Sequence, residues 1–246
     1  MRKLLLFLIF ASLAFGQASI LMLNSKAGTG GGGGITVLGT PSCSGSSNQN
    51  NVSLTYSSAG SANFIAVLVS DFGANPSSAN ISTSSPTLSE SWQTVASPFA
   101  NTLGLFYIKN VTDAASSMTF TYTASGTYPS ICVLAASGVN ASSPEDGAMT
   151  NNGGSNCAST GNSPCNAGSI TPSGTDLFIW GTDGDNSGTF PTGYTLGSSF
   201  SFSGIPNSGN NFSAGIGYKV SSSAENPALT YSGSPNIYLL LKAFKP

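Results

Sequence analysis

The chain contains no histidine, and that absence removes the side chain that most often serves as general base, activates a serine or cysteine nucleophile, and ligates zinc. Its abundant serines therefore carry no catalytic implication. Charge is scarce too: 7% of residues are Asp, Glu, Lys or Arg, against roughly a quarter in an ordinary globular chain, so Ser, Thr, Asn and Gly must hydrate the surface. Seven basic side chains face nine acidic ones, and Lys26, Lys109, Lys219, Lys242 and Lys245 are scattered rather than clustered. A nucleic-acid partner is not expected, because phosphate backbones are bound by grouped Lys and Arg. No C-x-x-C pair exists to hold zinc.

Carboxylates are thin as well. Glycosidases need two acids facing each other across a cleft, whereas Glu145 and Asp146 sit side by side in an expected loop, and Glu90, Asp113, Asp176 and Glu225 stand singly near expected turns or strand ends. The E-x-D-x-x-E strand motif of jelly-roll glucanases is missing. No catalytic residue is assigned, and the protein is expected not to be an enzyme.

Long apolar runs are also lacking. The longest near the start, residues 4–14, is too short to span a bilayer and follows the basic Arg2 and Lys3, which is the pattern of a signal peptide over residues 1–16. Small residues at Ala14 and Gly16 suit a peptidase site, leaving Gln17 as the mature N-terminus, with a cut after Ala18 as the competing choice. The expectation is a secreted protein, extracellular or at a cell surface, with no membrane span after cleavage.

What the chain does have is β patterning. Aromatic residues make up 10% and the apolar set 39%, gathered into short runs separated by Gly, Pro, Asn and Ser. The strongest strand signals are 52–56, 64–70, 103–108, 118–123 and 131–136, then 177–180, 212–220, 228–231 and 237–244; none reads as a helix. Met118, Phe120 and Tyr122 alternate with threonines, as in a strand with one wet face, while residues 64–69 are apolar without a break and read as a central strand covered on both sides. Trp92 and Trp180 are expected in the core; loop tyrosines such as Tyr128 and Tyr194 remain available to stack on sugars.

The elements recur in order. SLTYSSAGSANFIAVLVSD, from Ser53, is echoed by SITPSGTDLFIWGTD, from Ser169; YIKNVTDAASSMTFTYT, from Tyr107, is echoed by YKVSSSAENPALTYS, from Tyr218. The reading is an all-β antiparallel sandwich, jelly-roll-like, built from two pseudo-symmetric halves at about 52–140 and 168–245. One domain is placed at 41–246, after an N-terminal strand and glycine-rich tether over 17–40. The two halves are expected to combine into one sandwich, neither being stable alone.

This order of strands, with SWQTVAS around Trp92 as a central strand and LLLKAFKP at the end, resembles uncharacterised secreted bacterial β-sandwich proteins of jelly-roll type. The resemblance covers nearly the whole mature chain and implies a fold but no activity.

Four cysteines in an exported chain allow two disulfides in three pairings. A local Cys157–Cys165 bridge would restrain a Ser- and Asn-rich loop, leaving Cys43 for Cys132. Asp183, Asp185 and Ser187 alternate ahead of a glycine as in calcium loops, although Tyr194 stands where an EF-hand would carry glutamate; calcium is the one cofactor considered. Ile20, Leu21, Met22 and Leu23 form a compact strand candidate tethered by a segment ending in five glycines, and a mobile strand of that kind could complete a neighbour's sheet. The leading functional expectation is a non-enzymatic extracellular structural or surface protein, a self-assembling filament or coat subunit. The alternative is a carbohydrate-binding or adhesive module with a glycan partner.

Overall fold

The computed structural model describes residues 34–46, 50–99, 102–153, 157, 165–185, 195–196, 201–204, 212–230 and 236–246. The first eight strands are β1 (Thr36–Gly45), β2 (Asn51–Tyr56), β3 (Phe64–Phe72), β4 (Ile81–Ser84), β5 (Gln93–Phe99), β6 (Leu103–Lys109), β7 (Met118–Thr123) and β8 (Thr127–Ser137). The second eight are β9 (Glu145–Gly153), β10 (Cys165–Asn166), β11 (Asp176–Asp185), β12 (Thr195–Leu196), β13 (Ser201–Gly204), β14 (Phe212–Ser221), β15 (Ala228–Thr230) and β16 (Asn236–Phe244). Among the described residues the helical content is a single 3-10 turn at Ser78–Asn80.

The expected all-β sandwich is present, and the strand order shows how it is made. One five-stranded sheet runs β1-β8-β3-β6-β5 and a three-stranded sheet runs β2-β7-β4; the other two run β9-β16-β11-β14-β13 and β10-β15-β12. Adding eight to each label of the first pair of sheets yields the second pair. Within each half the nested antiparallel pairs 1·8, 2·7 and 3·6 are those of a long hairpin rolled into a jelly roll. The fifth strand departs from a closed roll by pairing with the sixth. In the first half, the connection after β4 takes the place this leaves, with Leu88 and Trp92 packed against the core.

The duplication extends to an irregularity. In β1, Leu38 faces Ala135 and Ser42 faces Val133; in β9, Asp146 faces Ala243 and Thr150 faces Leu241. Four residues thus step past two in both edge strands, and the bulge is made by Gly39 (φ 71) and Gly147 (φ 61) at matching positions. A left-handed backbone there favours glycine. Matched residues lie 108 apart in β1/β9 and β8/β16, 111 apart at Tyr107/Tyr218 and 113 apart in β3/β11, because the intervening loops differ in length.

Burial follows from alternation along the strands. Ile65, Val67 and Val69 of β3 face the small sheet with Phe120 and Tyr122, while Phe64, Ala66 and Leu68 face the other half with Leu177, Ile179, Leu240 and Phe244. Phe178 and Trp180 face the second small sheet. The molecule is therefore four layers deep, with the two large sheets back to back in the middle, which explains why β3 is apolar on both faces. Leu68 and the matching residue Gly181 touch at the centre of this seam, where a Cβ on Gly181 would overlap the Leu68 side chain. Contact between equivalent positions marks a local two-fold relation between the halves.

Several expectations change. Each half carries two sheets of its own, so the halves do not combine as the two layers of one sandwich. β1 belongs to the first half and β9 to the second, so the halves begin before residues 52 and 168, and the folded part begins before residue 41. Residues 36–40, assigned to the tether, lie in β1. Its bulge, Gly39 and Pro41 erase the period-2 pattern that would have revealed it. Trp92 precedes β5 rather than lying in it, and β5 is an edge strand, not a central one. Residues 1–33, including the leader and Ile20 to Leu23, lie outside the described residues. The described residues contain no helix long and apolar enough to cross a membrane.

Both cysteine pairings are present. Cys43 and Cys132 are cross-strand neighbours on β1 and β8, and Cys157 bonds Cys165 at β10.

Candidate functional site

Charge is scarce, yet most of it collects at one end. Phe64 at the start of β3, Tyr107 near the end of β6 and Phe244 at the end of β16 are in mutual ring contact, which places the starts of β3, β9 and β11 and the ends of β6, β8, β14 and β16 together. The four described lysines and Glu90, Asp113, Glu145, Asp146, Asp176 and Glu225 all belong to this end; Asp71, Asp183 and Asp185 lie toward the other.

The charged end holds three networks. At the seam between the large sheets, the Tyr107 hydroxyl donates to Glu145 Oε1 at 2.8 Å, and the Lys242 ammonium meets Glu145 Oε2 at 2.9 Å and donates to the Gly147 carbonyl at 2.5 Å. Lys242 is only 2% exposed, whereas the Glu145 side chain reaches solvent at 39%, so the pair is screened from the carboxylate side. Burial, and then Glu145, pushes the Tyr107 phenol well above its ordinary pKa. On β14, Lys219 pairs with Glu225 at 2.6 Å. Both are ways of satisfying a buried charge.

The third network is different in kind. Asp176 opens β11 with no exposed surface, and neither carboxylate oxygen receives an N–H or O–H donor. Its polar neighbour is a second carboxylate, Asp146 on β9, and the two interact at hydrogen-bond range. Asp146 Oδ2 also accepts from the Ser173 amide at 2.6 Å. Burial first, and the Asp146 carboxylate second, push the Asp176 carboxyl up to about 7. The hydrogen bond from Asp176 first, and the Ser173 amide second, hold Asp146 down to about 2. The pair therefore shares one proton and titrates as a unit. Carboxylates in such contact leave no room for a sugar between them, since even retaining glycosidases separate theirs by about 5 Å.

No family model, curated protein or solved structure gives a significant match to this chain. The site is therefore read from its own geometry.

The calcium candidate at Asp183, Asp185 and Ser187 rested on an alternating loop. The structure places Asp183 and Asp185 inside β11, paired on both sides with β14 and β16, with Asp183 buried; Ser187 and Tyr194 lie outside the described residues. A strand directs residues 183 and 185 along an extended ladder instead of wrapping them around an ion, so the loop premise fails. No group of three or more potential metal-ligating Cys, Asp or Glu side chains occurs among the described residues. Glu145 and Asp146, expected in a loop, lie in β9, where alternation sends one to the seam and the other toward Asp176. The pairing of Asp146 with Asp176 spans 30 residues of sequence and passes unnoticed while β9 is unread. The signal lay in the glycines: aligning Gly39 with Gly147 also brings Gly45 onto Gly153, the last residues of β1 and β9.

Proposed function

We propose that the protein is a secreted, non-enzymatic extracellular structural or surface protein, a filament or coat subunit that self-associates by donating its N-terminal strand. One observation carries the reading. The first strand of the roll is β1 from Thr36, one residue after the five glycines, so the roll is supplied with its first strand without Ile20 to Leu23. On this reading Ile20 to Leu23 is the strand that is donated. Suitable acceptors exist: β1 and β5 end one large sheet and β9 and β13 the other, and a sheet edge presents backbone N–H and C=O groups that an added strand can pair. The two disulfides fit an oxidising compartment, and a surface with few charges packs against its own kind without like-charge repulsion.

The test is negative-stain electron microscopy with sedimentation on residues 17–246 beside residues 35–246. The shorter protein keeps every described strand. Filaments or large oligomers from the longer protein alone are the expected result. Monomers from both, under conditions that favour assembly, would sink the proposal.

A second reading, a carbohydrate-binding or adhesive module, draws on the end opposite the charges. Phe72 is 39% exposed, it faces Thr127 across the ladder, and the next residue, Tyr128, holds a left-handed backbone (φ 56). Such rings suit the apolar face of a sugar. Saturable glycan binding by monomer, lost in Phe72→Ala, would favour it over assembly.

A further inference from the structure

We propose that Asp146 and Asp176 form a binding site for a hard divalent cation of the calcium class, at the charged end of the second half. This goes beyond the structural role above and does not rest on it. The duplicated fold supplies an internal control. The position matching Asp176 is Asn63, whose side-chain amide donates to the Val139 carbonyl at 2.6 Å and accepts from the Val139 amide at 3.3 Å. The position matching Asp146 is Leu38, a partly buried apolar residue packed on the first core. The roll is thus built in one half with a neutral, fully bonded amide and a leucine. Neither acid is a requirement of the fold.

In the second half both positions are acidic, and they converge. Asp176 is fully buried and receives no donor on either oxygen; a proton shared with Asp146 neutralises the pair in part, and a cation entering between the two acids would take that proton's place. Among the described residues, no lysine forms an ion pair with either acid. Lys245 acts on them only through its field, and the close lysine pairs are with Glu225 and Glu145. Once the shared proton is displaced, the two carboxylates match the charge of a divalent ion. The connection before β11 borders the pair: the Ser173 amide binds Asp146, and a Cβ on Gly174 would lie 3.7 Å from Asp176 Oδ1. Calcium takes six to eight oxygens, so backbone carbonyls of that connection and water would complete the shell. With only two carboxylates, the dissociation constant is expected at roughly 10⁻⁴ to 10⁻³ M, the class of weak extracellular calcium modules.

The experiment is thermal unfolding of the whole protein at neutral pH, in chelator and in millimolar calcium chloride, alongside isothermal titration of the same protein with calcium. The wild type is expected to bind one ion saturably and to melt about 3–6 °C higher with calcium. Asp176→Asn, which copies the first half, should fold and lose both effects; Asp146→Leu should do the same. Equal stabilisation of wild type and Asp176→Asn would overturn the proposal, because the ion would then bind elsewhere. If the variants fail to fold, the titration of the wild type decides: one saturable site supports the proposal, and no binding in the millimolar range overturns it.

Discussion

The two halves share a strand order, a bulge and a seam, but they cover their outer faces differently. Among the described residues, the first small sheet has strands of six, six and four residues and the second has strands of two, three and two. The large sheets differ in the side chains they send toward these covers. Ile65 and Val67 of the first half are matched by Phe178 and Trp180 in the second, all fully buried, and the Cys157–Cys165 bridge packs into the same core. The second outer core thus leans more than the first on large side chains and on a covalent link.

The disulfides test this contrast most severely. Cys43–Cys132 closes a separation of 89 residues and Cys157–Cys165 one of 8, so chain entropy assigns about 4.6 kcal/mol to the first and about 2.5 to the second. Urea unfolding of the two double-serine variants is expected to preserve that ranking. An inverted ranking would mean that the local bridge holds the second small sheet in place beyond its entropic share. Next comes Trp180→Ala, expected to cost about 3–5 kcal/mol, against about 1–3 for Val67→Ala at the matching position; equal losses would refute the idea that the second outer core depends more on side-chain volume.

The acid pair gives a smaller effect with a definite sign. Asp176 is held neutral up to about 7, above the usual carboxyl value of about 3.9. Over that interval the folded state keeps a proton that the unfolded state has released, and stability falls as pH rises. Asp146, held down to about 2, contributes stability that is gained as pH rises from about 2 to 4. In chelator, melting temperature is expected to peak near pH 4 and to decline toward 7, with the decline abolished in Asp176→Asn; a wild-type profile flat from 4 to 7 would contradict the shared proton. Least costly are the bulge glycines. Gly147→Ala should lose about 1 kcal/mol from its left-handed backbone alone, and Gly39→Ala somewhat more, because its added Cβ meets the Ser58 side chain while that of Gly147 meets open space.

How far this was legible in the sequence depended on where each strand lies. Central strands such as β3, β8, β11 and β16 are buried on both faces and print continuous apolar runs. Edge strands do not: β1 and β9 each bury only part of one face and are interrupted by a bulge, so residues such as Thr36, Gly39 and Asn151 resemble loop. The two-residue strands β10 and β12 are too short to carry any period. The repeat itself was visible from β2 onward, but its architectural meaning was not, since an alternating strand does not say which sheet lies on its other side. The acid pair stayed hidden for the same reason that hid β9, whereas the disulfides were readable because four cysteines leave few choices.

Consider, finally, the two ends of the described chain under tension. β1 enters and β16 leaves at the charged end, where the Asn140 side-chain amide reaches the Pro246 carbonyl at 3.3 Å. A pull between Gly34 and Pro246 would load β1 in the peeling direction, parting the pairs from Thr36–Ser137 onward one after another instead of shearing the whole ladder at once. The bulge at Gly39 offers no resistance to this. The covalent link at Cys43–Cys132 does: it lies across the same ladder seven residues in from the start of β1, so peeling would arrest there, and the strand would yield a short, fixed length of slack while the rest of the roll stays shut.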